Sequence, residues 1–428
     1  MCTDTIETCP LCDAIEKLSE RSMSEQRREA CHRMHAIGWP NRKLEAWRYC
    51  NLKDIASTRW HPAPPAALSQ ADLDDFAIDG TAARLVFVNG RFDPTHSSPL
   101  PDGARLLGPL IDETPLDVDT PFADDYFAAM STALVEDGVI IDVPAGVVLP
   151  GSIHVMHITE GGCDPIATTL RILIRVGCGA RLGVIETWAG HGTALTTPMT
   201  EAHLDEDARL DHARLIEESD ETTHLGTIAS RQAAGSTFES AILSVGGRIA
   251  RTRVHASLDG EGAHAAIRGL GMGTDSRHID NALHVMHASP ACTSREYFKN
   301  LLAGDSTAAF TGRIHVAHGA QQTDAVQTNR NLLLSPTAKS WARPQLEIYA
   351  DDVKCTHGAT TGEIEAEALF YLLARGIPEA TARSLLAWAF VAEVVDEVPL
   401  PALRKHMARR MLSMLPGAER LDESVVSM

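Results

Sequence analysis

From about residue 136 to residue 362 apolar side chains recur at every second position, and no stretch between those limits carries a helical spacing. In "TTLRILIRVG", Leu170, Ile172, Ile174 and Val176 fall on one face of a strand, and Arg171 and Arg175 on the other. Ala250, Thr252, Val254, Ala256 and Leu258 alternate in the same way with Arg251, Arg253 and His255. Phe310, Gly312, Ile314 and Val316 do so with Thr311, Arg313 and His315. Corners rich in Gly and Asp, "GCGA", "DEDA", "AAGS", "DGEGA", "LAGD" and "AHGA", separate the runs. So long a succession of strands and corners, with small or branched inward residues, fits a parallel β-helix, whose coils bury their faces on one another without needing a strict sequence period. A β-sandwich is the alternative reading of the same pattern.

Helical patterns flank this core. Leu11, Ile15, Leu18, Met34 and Ile37 predict a helix over about 10–37, closed by Gly38-Trp39-Pro40, and Leu44, Trp47, Leu52 and Ile55 form the next apolar stripe. A Pro-rich connector, "HPAPPAALS", follows, and "RLVFVNGRF" predicts a strand entering a turn at Asn89-Gly90. After residue 363, Ile364, Ala368, Leu369 and Leu372 line one face of a helix that stops at Gly376. Pro378 opens a second helix through Leu385, Leu386, Ala389 and Phe390, and "LPALRKHMARRMLSML" predicts a third. The expected organisation is an N-terminal helical and mixed region over 1–135, a β-helix core over 136–362 and a C-terminal helical domain over 363–428.

Composition excludes several function classes. Of 428 residues 44% are hydrophobic but only 5% aromatic, which suits stacked small side chains. A formal charge of −19 with no Lys/Arg-rich run opposes binding to a phosphate backbone, so no nucleic-acid partner is expected. The nine cysteines lack framework spacing, which predicts reduced thiols and a cytoplasmic location. The N-terminus "MCTDTIETCPLC" does not read as a signal peptide, and "SLLAWAFVAEVV" is too short to span a membrane and carries Glu393.

Catalytic motifs are missing. There is no G-x-x-x-x-G-K-[ST], no G-x-S-x-G and no H-E-x-x-H, and "GLGMGTD", Gly269 to Asp275, is read as a solenoid corner. Cys9, Cys12, Cys31, His32 and His35 offer metal-ligating atoms at a spacing that fits no zinc finger. "HVMH" occurs at 154–157 and 284–287, and its two histidines fall on opposite faces of a strand. In "YADDVKCTHGATTG", Asp351-Asp352 predicts a corner, after which Val353, Cys355 and His357 share a face opposed to Lys354 and Thr356. Cys355 beside Val353 reads as a small buried hydrophobe, and His357 as a residue at a strand end before Gly358. A rival function, a polysaccharide-active hydrolase or lyase using Asp351 and Asp352, is opposed by geometry, because adjacent strand residues face opposite sides. A purely structural binding module is the third reading.

The stretch from Arg343 to Ile377, "RPQLEIYADDVKCTHGATTGEIEAEALFYLLARGI", with "QTNRNLLLS" before it, "LLAWAFVAEVV" after it and "LEAWRYCNL" near the N-terminus, resembles the SufB/SufD family of the SUF iron–sulfur cluster assembly system. SufB-like sequences place a cysteine shortly before a Leu-Leu run and a Glu-His-Glu arrangement in the later motif. Here Asn329 precedes "RNLLLS" and the motif reads Thr356-His357-Gly358, so the resemblance is to the SufD branch. It implies a right-handed parallel β-helix between helical ends, pairing with a SufB-like paralogue through the β-helix, and docking of a SufC-like ABC ATPase on the C-terminal helices. It also implies a non-catalytic scaffold subunit whose His357 contributes to a transient iron–sulfur cluster shared with the paralogue. Cys355 is the weaker candidate for sulfur handling. Arg375, Gly376, Phe390 and Glu393 are ATPase contacts chosen from their position. Reduced flavin accompanies the assembled complex in the family, though no flavin fingerprint stands in this sequence, and a homodimer of the isolated chain is the remaining partner reading.

Overall fold

The computed structural model describes residues 25–69, 73–108, 114, 125–162 and 164–415. Two sheets face each other, and the chain alternates between them at every corner. Sheet A stacks the strands Gly138–Val143, Arg171–Val176, Met199–Leu204, Thr223–Gln232, Ile249–Leu258, His278–His287, Thr307–Val316 and Lys339–Ile348. Sheet B stacks Ala83–Val88, Val148–Glu160, Arg181–His191, Arg209–Glu218, Thr237–Ser244, His264–Gly273, Thr293–Leu302, Thr323–Leu333 and Val353–Glu363. All these neighbours pair in parallel, giving a β-solenoid of about eight turns rather than a sandwich.

The rung length varies, which is why no sequence period is visible. Paired residues in sheet A are Thr223 and Ile249, then Ile249 and His278, then His278 and Thr307, then Thr307 and Lys339. These are steps of 26, 29, 29 and 32 residues. Corners absorb the difference and reverse the chain with a left-handed residue, as at Asp207 (φ 55°) and, stacked on it, Gly235 (φ 65°). A Cβ at Gly235 would lie 2.3 Å from Asp207 Oδ1, so a larger residue there would strain the left-handed backbone and displace the Asp207 carboxylate.

Inward residues build one continuous core, with Ile172, Ile174, Val254, Ala256, Leu283 and Val285 from sheet A meeting Leu182, Leu210, Phe238, Ile267 and Phe298 from sheet B. Each such side chain contributes roughly 1.5–3 kcal/mol by leaving water. "GLGMGTD" is corrected here: Gly269, Gly271 and Gly273 lie inside the strand His264–Gly273, and only the residues after them turn. Gly269 and Gly271 point inward, where a Cβ would meet the Phe298 ring at 2.1 Å and Asn300 Oδ1 at 2.4 Å. The glycines make room for larger neighbours one rung on.

The outer faces are covered by the chain ends. α1 (Glu25–Ile37), the turn Glu45–Trp47, α2 (Lys53–Ser57) and α3 (Tyr126–Leu134) bury Met34, Trp47, Ile55, Trp60, Phe127 and Met130 against Ala167, Leu195, Leu225 and Ile249 of sheet A. Scarce aromatics are concentrated at this seam, Trp39 lying 4.8 Å from Tyr126 and Trp47 5.2 Å from Phe127 between ring centroids. Of the predicted N-terminal stripe, Leu44 is exposed, because the chain there forms one tight turn instead of a helix. The earlier positions Leu11, Ile15 and Leu18 lie outside the described residues. Ala83–Val88 enters a turn at Asn89 (φ 49°) and Gly90 (φ 79°), as the Asn-Gly pair predicts.

At the other end α4 (Ala366–Ala374), α5 (Glu379–Asp396) and α6 (Pro401–Ser413) follow the last strand, with Gly376 (φ 82°) closing α4. α5 and α6 lay Trp388, Val391, Val394, Leu403 and Met407 on Leu215, Leu243, Met272 and Leu301 of sheet B's outer face. Lys299 pins α5: its buried ammonium donates to Glu393 (2.8 Å) and to the Phe390 carbonyl and sits over the Phe390 ring. Glu217 pins α6 by accepting from His406 (2.8 Å) and Arg410 (2.5 Å). Among the described residues no helix is long and apolar enough to cross a membrane.

Candidate interface site at the open end of the solenoid

The last two strands, Lys339–Ile348 and Val353–Glu363, each have a neighbour on one side only. Both sheets therefore end together in parallel edges 10 and 11 residues long whose outer sides pair with no further strand among the described residues. Long open edges are templates for another strand, and folds that stand alone blunt them. Here Pro344 removes one backbone donor from the first edge, and among the described residues no further strand covers either edge. Residues from Lys354 to Glu363 are exposed apart from half-buried Cys355, and exposed Ile348 and Tyr349 stand beside them.

His357 lies in the middle of the Val353–Glu363 strand, which runs on through Gly358 to Glu363. The expectation of a strand end is thus corrected, because parallel pairing with Thr323–Leu333 carries the backbone past the glycine. Register places Cys355 on Ala325, His357 on Gln327 and Ala359 on Asn329. Ala325, Gln327 and Asn329 are all buried, so His357 continues an inward-facing file to the exposed end. Below Gln327 the file holds Glu296 and then Ile267. Gln327 donates its amide to Glu296, and Gly312 on the opposite sheet leaves space for that amide, since a Cβ there would come within 2.2 Å of it.

The file is polar but carries no cation. Burial pushes the Glu296 carboxyl up to about 8, against the opposing pull of the Gln327 hydrogen bond, so it is protonated at neutral pH. Beside it runs an amide ladder in which Asn300 donates to Asn331 (2.8 Å) and Asn331 to Asn329 (2.8 Å). Glu296 Oε1, Gln327 Oε1 and Asn329 Nδ2 are buried without a hydrogen-bond partner. Such atoms cost free energy unless a neighbour or ligand satisfies them. Cys355 packs with Val353 against Ile314, Val316, Ala320 and Ala325. Burial, with Asp324 adding to it, pushes its thiol up, away from the free thiolate that nucleophilic chemistry needs.

The other sequence candidates are dispersed. Asp351 and Asp352 are exposed at the corner, where the Asp352 backbone N–H donates to Gln321 and its carbonyl accepts from Gln322. Cys31 is buried in the N-terminal core while His32 and His35 are exposed, and Cys9 and Cys12 lie outside the described residues. The "HVMH" copies do split across faces: His284 lies outward beside His255 (4.8 Å between rings), whereas His287 is buried and bonded to Ser294 (3.0 Å). Phe390 and Glu393 are engaged with Lys299 of this chain, whereas Arg375 is exposed and stacks over Tyr371. α4 buries none of its residues and exposes Phe370, Tyr371 and Leu373, so the expected amphipathic helix carries apolar side chains on both faces.

One buried centre escaped the sequence reading. Glu186 is fully buried inside the solenoid and accepts from His212 (2.7 Å), Arg214 (2.8 Å), Trp188 (2.9 Å) and Thr200 (2.5 Å). Burial opposes its charge, but Arg214 and His212 outweigh that and hold the carboxyl far below the usual range. The signal was present, since Leu182, Val184 and Trp188 share its strand face.

The model of the SUF system FeS cluster assembly SufBD core domain matches residues 157–390. The iron–sulfur cluster assembly protein SufD of Escherichia coli is 29% identical over 401 residues, covering 93% of this chain and 94% of that protein. An iron–sulfur cluster assembly SufBD family protein of Synechocystis sp. is 27% identical over 89% of each chain. The chloroplastic protein ABCI7 of Arabidopsis thaliana is 29% identical over 88% of this chain and 83% of its own. A core-domain match over more than half of the chain, coinciding with the solenoid and the start of its helical cover, shows that the chain belongs to the SufBD family of iron–sulfur cluster assembly proteins and is SufD-like.

Proposed function

We propose that this chain is the non-catalytic SufD-type subunit of an ATP-dependent assembly complex in the cytoplasm, with its open rung as the working surface. The open pair of parallel edges carries the reading: they fit continuation of both sheets onto the last rung of a SufB-like paralogue. His357 then stands at the junction, where an imidazole nitrogen offers one ligand to a nascent iron–sulfur cluster and the paralogue supplies the rest. The cluster is cargo. Cys355, half-buried and disfavoured as a thiolate, packs the rung. Phe370, Tyr371 and Leu373 on α4, with Arg375 and Gly376 at its end, form the docking surface for a SufC-like ATPase, and Phe390 and Glu393 fix α5 beside it through Lys299. Reduced flavin belongs to the assembled complex rather than to a fingerprint on this chain. Without the paralogue the same edges support a homodimer.

The test is to co-express the chain with SufB- and SufC-like partners as wild type and as His357→Ala, reconstitute anaerobically, and measure iron, sulfide and the visible spectrum. The expected result is an intact complex in both cases and loss of the cluster in the variant. Equal cluster content would reduce the chain to a structural module.

A further inference from the structure

The "WRYC" segment does more than cover sheet A. Trp47 lies under Arg251 (4.2 Å), Tyr49 stacks on Trp341 (5.4 Å between rings), and the next residue, Cys50, is buried against the outer face of the His278–His287 strand. His278 and Asp280 are two apart on that strand and share a face, so the topology brings a thiol from one element to an imidazole and a carboxylate from another. One ligand atom of each of the three residues lies within 4.8 Å of the others. A tetrahedral site with metal–ligand bonds of about 2.0–2.3 Å separates its ligands by roughly 3.5 Å, which small side-chain rotations reach from here.

Supporting groups are in place around the three. Thr307 Oγ1 binds His278 Nδ1 (2.7 Å), which fixes the ring and leaves Nε2, buried and without a hydrogen-bond partner, as the available nitrogen. His278 is 9% exposed. Arg251 occupies Asp280 Oδ2 and leaves Oδ1. Thiolate, carboxylate and guanidinium sum to one negative charge, which a divalent cation overcompensates by one. Arg251 Nη2 also donates to the Ala46 carbonyl (2.8 Å), holding the Cys50 segment in register.

The geometry points to a binding site for one divalent transition-metal ion of the Zn²⁺ or Fe²⁺ class, formed by Cys50, His278 and Asp280 and clamping the N-terminal segment to the solenoid. The donor set of one sulfur, one nitrogen and one oxygen suits such borderline ions rather than Mg²⁺ or Ca²⁺. Three protein ligands leave the fourth position to water. Burial, with Asp280 adding to it, pushes the Cys50 thiol up to about 12 in the metal-free chain, so its S–H bond breaks only as the sulfur–metal bond forms, the proton going to solvent together with displaced hydration water, with no change of oxidation state.

Titrating the full-length reduced chain anaerobically with Co²⁺ tests this. One equivalent is expected to raise a near-ultraviolet thiolate-to-cobalt band. Cys50→Ser abolishes that band, His278→Gln weakens binding by about tenfold or more, and Thr307→Val, which touches only the imidazole's far side, weakens it by roughly 10–100-fold. The band survives Cys9→Ser/Cys12→Ser. Wild type without a band, a band retained in Cys50→Ser, or one lost with Cys9 and Cys12 overturns the site. Cys50→Ser is compared at matched circular dichroism, and His278→Gln keeps the conclusion open to refutation if Cys50→Ser does not fold.

Discussion

Glu186 and Glu296 are both fully buried inside the same solenoid, yet the first is held ionised and the second protonated. Around Glu186, Arg214, His212, Trp188 and Thr200 each point a hydrogen at the carboxylate. Around Glu296 there is one amide, and unpartnered polar atoms run from there toward His357. Stacked rungs enforce position equally in both places, so the difference lies in whether the chain supplies its own partners. Glu186 has four such partners and Glu296 has one, although buried atoms without a hydrogen-bond partner, Arg214 Nη1 among them, occur mid-solenoid as well.

The sharpest way to break this contrast is Glu186→Gln. Removing the anion strands a buried guanidinium, and a loss of about 3–5 kcal/mol is expected, read from the denaturant midpoint. Replacing both partners, as in Glu186→Leu with Arg214→Met, recovers most of it. A Glu186→Gln variant as stable as wild type would mean that the network contributes no order.

Next in size is the pH response of Glu296. A carboxyl raised to about 8 in the folded chain gives stability that is complete below the unfolded value near 4.5 and is lost as pH rises through 8. Thermal unfolding of wild type should therefore weaken relative to Glu296→Gln between pH 5 and 8, by a few kcal/mol at most. Parallel curves would place Glu296 in a wetter setting than its burial implies.

Lys299→Met should cost roughly 1–3 kcal/mol and speed hydrogen exchange in α5, because Glu393 and the Phe390 carbonyl lose their buried donor. The smallest effect on stability belongs to His357→Ala, within about 0.5 kcal/mol because the side chain is exposed, measured on the isolated chain. A large loss there would make His357 a packing residue and remove the contrast at its open end.

How much of this was legible follows from what alternation can encode. Period two and the Gly/Asp corners mark strands, and Leu170, Ile172, Ile174 and Val176 are indeed buried together. Rung register was hidden because steps of 26 to 32 residues leave no repeat to detect. The polar residues Glu186, Glu296 and Gln327 sit on the inward parity, where Glu186 shares its face with Leu182, Val184 and Trp188, but nothing in a sequence says whether a polar residue among apolar ones is enclosed and partnered. His357 stands out in the sequence only through a motif, and its file of neighbours only through pairing across rungs. The site at Cys50 joins residues more than 200 positions apart, a distance no local spacing reaches.

One contact of the N-terminal segment bears on how the chain is made. Glu45 pairs with Arg343, 298 residues later, and Tyr49 stacks on Trp341. During synthesis this aromatic segment thus has no complete landing surface until the strand Lys339–Ile348 has been translated. Loop closure over so long a span is slow. Until then Tyr49 lacks the ring it stacks on.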